Sequence, residues 1–359
     1  MQGLEFFPDL LLVRIHTDEG IIGHGETYYC AEAVQAMLHD WMARRLLGED
    51  ALAIESHWRF LYERTADFGV RGTELRALSA LDVALWDIFG QVCNQPVYRL
   101  LGGPVRDKIM VYNSCGNPQY GSSTTGRKGW PGFGTIGEPG PLGDSWRLFH
   151  EPVALAEELV GLGYSGLKVW PFDQAAIEYG SALIPYRVIE AATQPLRDIR
   201  DKVGMDLDIL VDGHAHFQLP PEPDADFGER DAIEPCGLQL GIDEPSRGLR
   251  NDRPDLGWGI SETVRIAHLA ETYNVPVSMH DCTGPLTLFA GLHVGAAVAN
   301  CCYQETVRAQ IQTVYKELID VEVEIDDGFV GLPKGPGLGV RLNPDLFKLK
   351  RPGYRISKF

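Results

Sequence analysis

The chain is poor in positive charge: 32 Lys and Arg face 50 Asp and Glu among 359 residues, for a formal net charge of −18. Nucleic-acid binding needs a basic face, so no nucleic-acid partner is expected. An acidic chain can still bind an anion locally, because one bound cation overrides the global balance. There is no C-x-x-C pair; the seven cysteines are an odd number, and Cys301-Cys302 are adjacent. A disulfide framework or thiolate zinc site does not fit that pattern, whereas a reducing compartment does. No apolar run reaches the roughly 18 residues of a membrane span, and no signal or transit peptide is recognisable. The expectation is a cytoplasmic protein with no membrane partner.

What is present is ordinary for a globular protein: 44% hydrophobic and 23% charged residues, in a chain long enough for two domains or a barrel with an appendage. Residues 10–15 and 21–25, rich in β-branched and apolar side chains, bracket the turn Asp18-Glu19-Gly20 and predict a hairpin. From 73 to 101 the period becomes helical, with Leu75, Leu78, Leu81, Ala84, Leu85 and Ile88 on one face; Gly102-Gly103-Pro104 then stops the helix. Beyond it, strands at 109–112, 166–170, 208–212, 275–279 and 301–304 alternate with helices at 153–162, 181–203, 260–273 and 286–299. A glycine-rich stretch at 114–146 predicts a lid-like loop. Strand–helix alternation with short connections implies parallel strands. The predicted fold class is α/β: a (β/α) TIM-type barrel over 109–330, with an α+β capping domain over 1–108 on which 331–359 packs.

Polar residues follow the strand ends, which form the active face of such a barrel. Asp212, in VDGHAH, is a carboxylate suited to a hard cation; His214, two residues on, shares its face in an extended chain. A strand-end Asp also caps turns, and His214-x-His216 also fits a zinc hydrolase. Lys168 lies in the apolar strand GLKVW, where it is costly unless its ammonium snorkels to the barrel mouth or its pKa falls for use as a base. His280 in VSMHDCTGP and Glu305 in CCYQET end two further strands. Histidine can abstract a proton near neutral pH, though a lone histidine is more often structural.

Taken together these segments resemble the enolase superfamily, in its mandelate racemase/muconate lactonizing enzyme branch. The resemblance is carried by ALSALDVALWDIFGQVCNQPVYRLLGGP at 77–104 and by GISETVRIA and MHDCTGP further on. It implies a mobile capping loop at Gly23-His24-Gly25-Glu26, with His24 and Trp170 meeting the substrate. It also implies that Lys168 is the first lysine of a Lys-x-Lys strand whose second position is Trp170. Asp212 would be the first Mg2+ ligand, His214 a general acid, His280 on the seventh strand or Lys168 the base, and Glu305 the acidic partner of the substrate carboxylate. LQLGIDEP resembles the fourth strand, which puts Asp243, with Glu244 beside it, at the second ligand position. The implied reaction is magnesium-assisted removal of a proton α to a carboxylate, with loss of a β-hydroxyl from a sugar acid to give a 2-keto-3-deoxy acid. A racemase or epimerase is the alternative if Lys168 and His280 face each other across the substrate. A homo-oligomer is expected.

Residues 219–256 depart from the pattern. LPPEPDADFGERDAIEP carries four prolines and no apolar periodicity where a helix should follow. Too few residues separate Pro245 from Gly259 for the strands and helices that should lie there, and no third carboxylate ligand is evident. The strand count stops near six, in a region shorter than the usual barrel of about 250 residues. A catalytically inactive homologue is therefore a rival expectation.

Overall fold

A computed structural model describes residues 10–67, 69, 72–118, 137–180, 184–213, 238–241, 259–348 and 354–358, with backbone alone at 238–241. The hairpin pairs β1 (Leu11–His16) with β2 (Ile22–Thr27) antiparallel, Leu11 opposite Thr27 and His16 opposite Ile22. β2 lies directly on the long helix Thr73–Cys93. A Cβ at Gly23 would come within 2.1 Å of the Ala84 carbonyl oxygen, and one at Gly25 within 2.0 Å of that of Ala80. Only glycine permits so close an approach. The segment expected as a mobile loop is thus a strand clamped to a helix. That helix also ends earlier than its apolar period predicts. Asn94 takes the left-handed conformation at φ 50°, and the Gln95 amide donates to the Gly90 carbonyl at 2.9 Å, closing a C-cap.

The main sheet is built from β3 (Lys108–Ser114), β4 (Gly166–Val169), β5 (Asp208–Val211), β6 (Leu238–Gly241), β7 (Val277–His280) and β8 (Cys301–Thr306), in the spatial order β5-β4-β3-β8-β7-β6. All these neighbours run parallel. β9 (Phe329–Gly331) adds an antiparallel partner to the first residues of β3, which the sequence reading did not include. First and last barrel strands lying side by side, with successive strands fanning out both ways, is the arrangement of a (β/α) barrel. Two elements differ from expectation. The stretch read as one loop at 114–146 contains the helix Asp144–His150, and the helix expected over 181–203 begins at Tyr186, after Pro185. A larger correction concerns LQLG. Leu238–Gly241 pairs with β7, Gly241 opposite His280, and is not a fourth strand beside β5. Four residues with two leucines specify a strand but not which neighbour it joins.

The helix Pro285–Ala297 is buried along its length from 285 to 296, because sheet and capping elements cover opposite sides of it. The capping elements grip the barrel through borrowed helix caps. Glu26 accepts the Thr287 amide at 2.6 Å. Asp82 accepts the Ser261 amide at 3.0 Å and its hydroxyl at 2.6 Å, and the Ser79 hydroxyl accepts the Gly259 amide at 3.1 Å. Each satisfies a helix N-terminal donor that has no partner within its own helix. From the C-terminal side, Leu338 donates to Asp87 at 2.9 Å, and Arg355 pairs with Asp40. No helix among the described residues is long and apolar enough to cross a membrane.

Candidate active site

Three strand ends converge on one carboxylate. Glu305, on β8, has no solvent exposure. Its Oε1 lies 2.6 Å from Lys168 Nζ of β4, and its Oε2 lies 3.6 Å from His280 Nε2 of β7. The Asp281 amide donates to the same Oε2 at 3.1 Å. On its other side Lys168 Nζ is 3.3 Å from Asp212 Oδ2, just past the end of β5. Side-chain alternation brings this about: Leu167 and Val169 pack into the apolar core, which turns Lys168 the other way. Burial pulls the Lys168 ammonium's pKa down, but the charges of Glu305 and Asp212 outweigh it and the net direction is upward. Of the two alternatives left open by the sequence, this direction favours the ammonium over the base with a lowered pKa.

Behind His280, the Tyr315 hydroxyl donates to both oxygens of Asp281 at 3.1 Å. Burial first, and then the Asp281 and Glu26 charges, keep that phenol protonated. Sequence reasoning missed Asp281 and Tyr315. The first was legible as the neighbour of His280 in VSMHDCTGP; the second has no signal in the sequence. A separate, largely buried group anchors the base of the 137–150 segment to β3 and to the helical turn that follows β8. Arg308 pairs with Asp144 at 2.5 Å and Glu158 at 2.6 Å, while Asn113 donates to Asp144 at 2.9 Å.

The sequence-predicted residues are thus only partly brought together. Lys168, Asp212, His280 and Glu305 form one cluster. His24 is held elsewhere, its Nδ1 3.3 Å from Asp87, and it lines a cavity of about 230 Å³ with Asp320, Lys334 and Arg341. Trp170, 9% exposed, lines a cavity of about 450 Å³ shared with Cys115, Ser145 and Asp173, whose walls include neither Lys168 nor His280. His214, His216, Asp243 and Glu244 lie outside the described residues. Of the oxygen donors a magnesium ion needs, the described residues supply Asp212, whose side chain is 24% exposed. No group of three or more His, Cys, Asp or Glu among them could hold a metal. Asp212 suits the ion, but the described residues alone do not complete its shell.

Comparison with known proteins identifies the family. The family model described as mandelate racemase / muconate lactonizing enzyme, N-terminal domain, matches residues 8–102, and that described as enolase C-terminal domain-like matches 253–346. A crystal structure of an enolase of the mandelate racemase subgroup from Agrobacterium tumefaciens is 30% identical. It covers 95% of this chain and 93% of its own, with a TM-score of 0.74. Arabinonate dehydratase of Saccharolobus solfataricus is 27% identical over 97% of this chain and 92% of its own length. D-galactonate dehydratase of Ralstonia nicotianae is 29% identical over 94% and 90%. The chain belongs to the enolase superfamily, in its mandelate racemase/muconate lactonizing enzyme branch. It is an enzyme of the lyase or isomerase kind on a TIM-type barrel with an N-terminal capping domain.

Proposed function

We propose that the protein removes the proton α to the carboxylate of a sugar acid and expels the β-hydroxyl, giving a 2-keto-3-deoxy acid. The observation that carries this reading is the asymmetry about Glu305. On one side stands an ammonium locked between two carboxylates; on the other stands the imidazole of His280, the one histidine among the described residues of the cluster. One base favours elimination, since racemisation needs a base on each face of the α-carbon. The relatives named as sugar-acid dehydratases support the same choice.

In this scheme Lys168 and Glu305 hold the substrate carboxylate at the barrel mouth. His280 Nε2 takes the α-proton, the electron pair moves toward the carboxylate, and the β-hydroxyl leaves as water with a proton from His214. The resulting enol becomes the 2-keto acid. His214 is assigned by its place two residues after Asp212. Magnesium belongs to the proposal through Asp212, with Asp243 and Glu244 as further candidate ligands. When bound, the ion neutralises charge at the substrate carboxylate. The domain limits of 1–108 with 331–359, and 109–330, the homo-oligomeric state and the cytoplasmic location are proposed on the same footing.

The test is a panel of five- and six-carbon sugar acids assayed for 2-keto acid. His280→Asn is expected to lower turnover of any active acid by at least about 10²-fold. Unchanged turnover removes His280 from the role of base. Recovered substrate inverted at the α-carbon would favour the racemase instead, and no conversion of any acid would favour the inactive homologue.

A further inference from the structure

Between His280 and the helix at Pro285 runs the loop Asp281-Cys282-Thr283-Gly284, to which the reaction above gives no role. It is held at both ends. The Asp281 amide is bonded to Glu305 at 3.1 Å, its carboxylate to the Tyr315 hydroxyl at 3.1 Å, and the helix that follows is capped by Glu26 at 2.6 Å. A loop pinned in this way fixes its side chains. Cys282 Sγ lies 3.4 Å from His280 Nε2. Among the described residues this is the one hydrogen bond to the imidazole: Nδ1 is buried without a described partner, and Glu305 Oε2 at 3.6 Å is beyond reach. Cys282 is partly exposed, so a small reagent can reach it.

A histidine base must keep the lone pair of its accepting nitrogen aimed at the substrate, and the terminal torsion of its side chain is broad unless something restrains it. A thiol is a weak donor. It can hold the ring without protonating it and then give way. We propose that Cys282 is the positioning residue of the His280 base, its S–H fixing the ring's tilt through the Nε2 lone pair until substrate displaces it. This rests on the reading of His280 as the base.

Two measurements test it. Cys282→Ala is expected to lower kcat about 10-fold with KM unchanged within about twofold, and Cys282→Ser to recover most of the loss. An unchanged kcat in the alanine variant, or an equal loss in both variants, overturns the proposal. Turnover surviving in His280→Asn would instead overturn the base assignment. The second measurement needs no substrate. Iodoacetamide is added and alkylation followed by peptide mass at Cys282, with the exposed Cys93 as internal control. The sulfur attacks the methylene carbon, iodide leaves and the thiol proton passes to His280 Nε2. His280→Asn is expected to slow Cys282 about 10-fold and leave Cys93 unchanged. Equal rates at Cys282 in both proteins would mean that the contact does nothing.

Discussion

Lys168 sits in a strand whose flanking residues Leu167 and Val169 are fully buried, and its own side chain is 6% exposed. A charge in that position survives only because Glu305 at 2.6 Å and Asp212 at 3.3 Å balance it. Removing the cation leaves a fully buried carboxylate without its counter-charge, which costs more than the intact pair ever contributes. Lys168→Met is therefore expected to destabilise the fold by about 3–5 kcal/mol. Adding Glu305→Gln to it should recover part of that loss. Urea midpoints of the three proteins decide the matter, and a single variant as stable as the wild type would show that the pair is not a buried ionic contact. Lys168, Asp212, His280 and Glu305 were legible in the sequence because each follows or interrupts an apolar strand. Sequence pattern names a strand end but not a depth, however. The upward direction at Lys168 depends on two carboxylates brought from strands 44 and 137 residues further on, and Tyr315 reaches Asp281 from 34 residues away. His24 shares its segment with Glu26, yet Asp87 on the underlying helix holds it.

Helices Gly259–Thr272 and Pro285–Ala297 each carry or contact a buried titratable group, and the two respond to acid in opposite directions. Burial raises the Asp82 carboxyl to about 6, against the lowering effect of its bonds from Ser261 and Ile260. Burial lowers His293 to about 4, opposed by a bond with the Leu338 backbone and by the Asp87 charge. Between pH 6.5 and 4 the unfolded chain protonates its histidine and the folded chain does not, so His293 makes stability fall as pH drops. Between pH 6 and 4 the folded chain protonates Asp82 and the unfolded chain does not, so Asp82 makes stability rise as pH drops. At about 1.4 kcal/mol per pKa unit each effect is on the order of 3 kcal/mol, and in the wild type they largely offset each other. Compared with the wild type, His293→Gln should gain stability on going from pH 6.5 to 4.5, and Asp82→Asn should lose it. Guanidinium denaturation at the two pH values reads this directly, and parallel pH slopes in all three proteins would sink the account. The helices themselves were legible from their 3.6-residue period to within a few residues. Their caps were not, because the capping groups come from a hairpin and a helix some 180 to 260 residues earlier.

Across the described residues successive parallel strands fan out on both sides of the β3–β8 contact, and that much followed from the alternation of strands and helices. What did not follow was the neighbour of Leu238–Gly241, because a four-residue strand with two leucines fits many sheet edges. The alignment with arabinonate dehydratase of Saccharolobus solfataricus spans 392 positions, more than the 359 residues of this chain. That relative therefore carries segments that this chain lacks, in keeping with the shortfall of elements between Pro245 and Gly259. The consequence for function lies in the cation, since Asp212 is the one described donor. A ligand that binds only the folded state stabilises it by RT ln(1 + [L]/Kd), about 2.7 kcal/mol at a hundredfold excess over Kd. If Asp212 anchors a competent site, millimolar magnesium should raise the melting temperature of the wild type, and Asp212→Asn should abolish the rise. An equal rise in both proteins would place the ion elsewhere, whereas no rise in the wild type would remove magnesium from the proposed function. Zinc recovered in stoichiometric amount from the purified protein, and retained in Asp212→Asn, would turn attention to His214 and His216 and to hydrolysis.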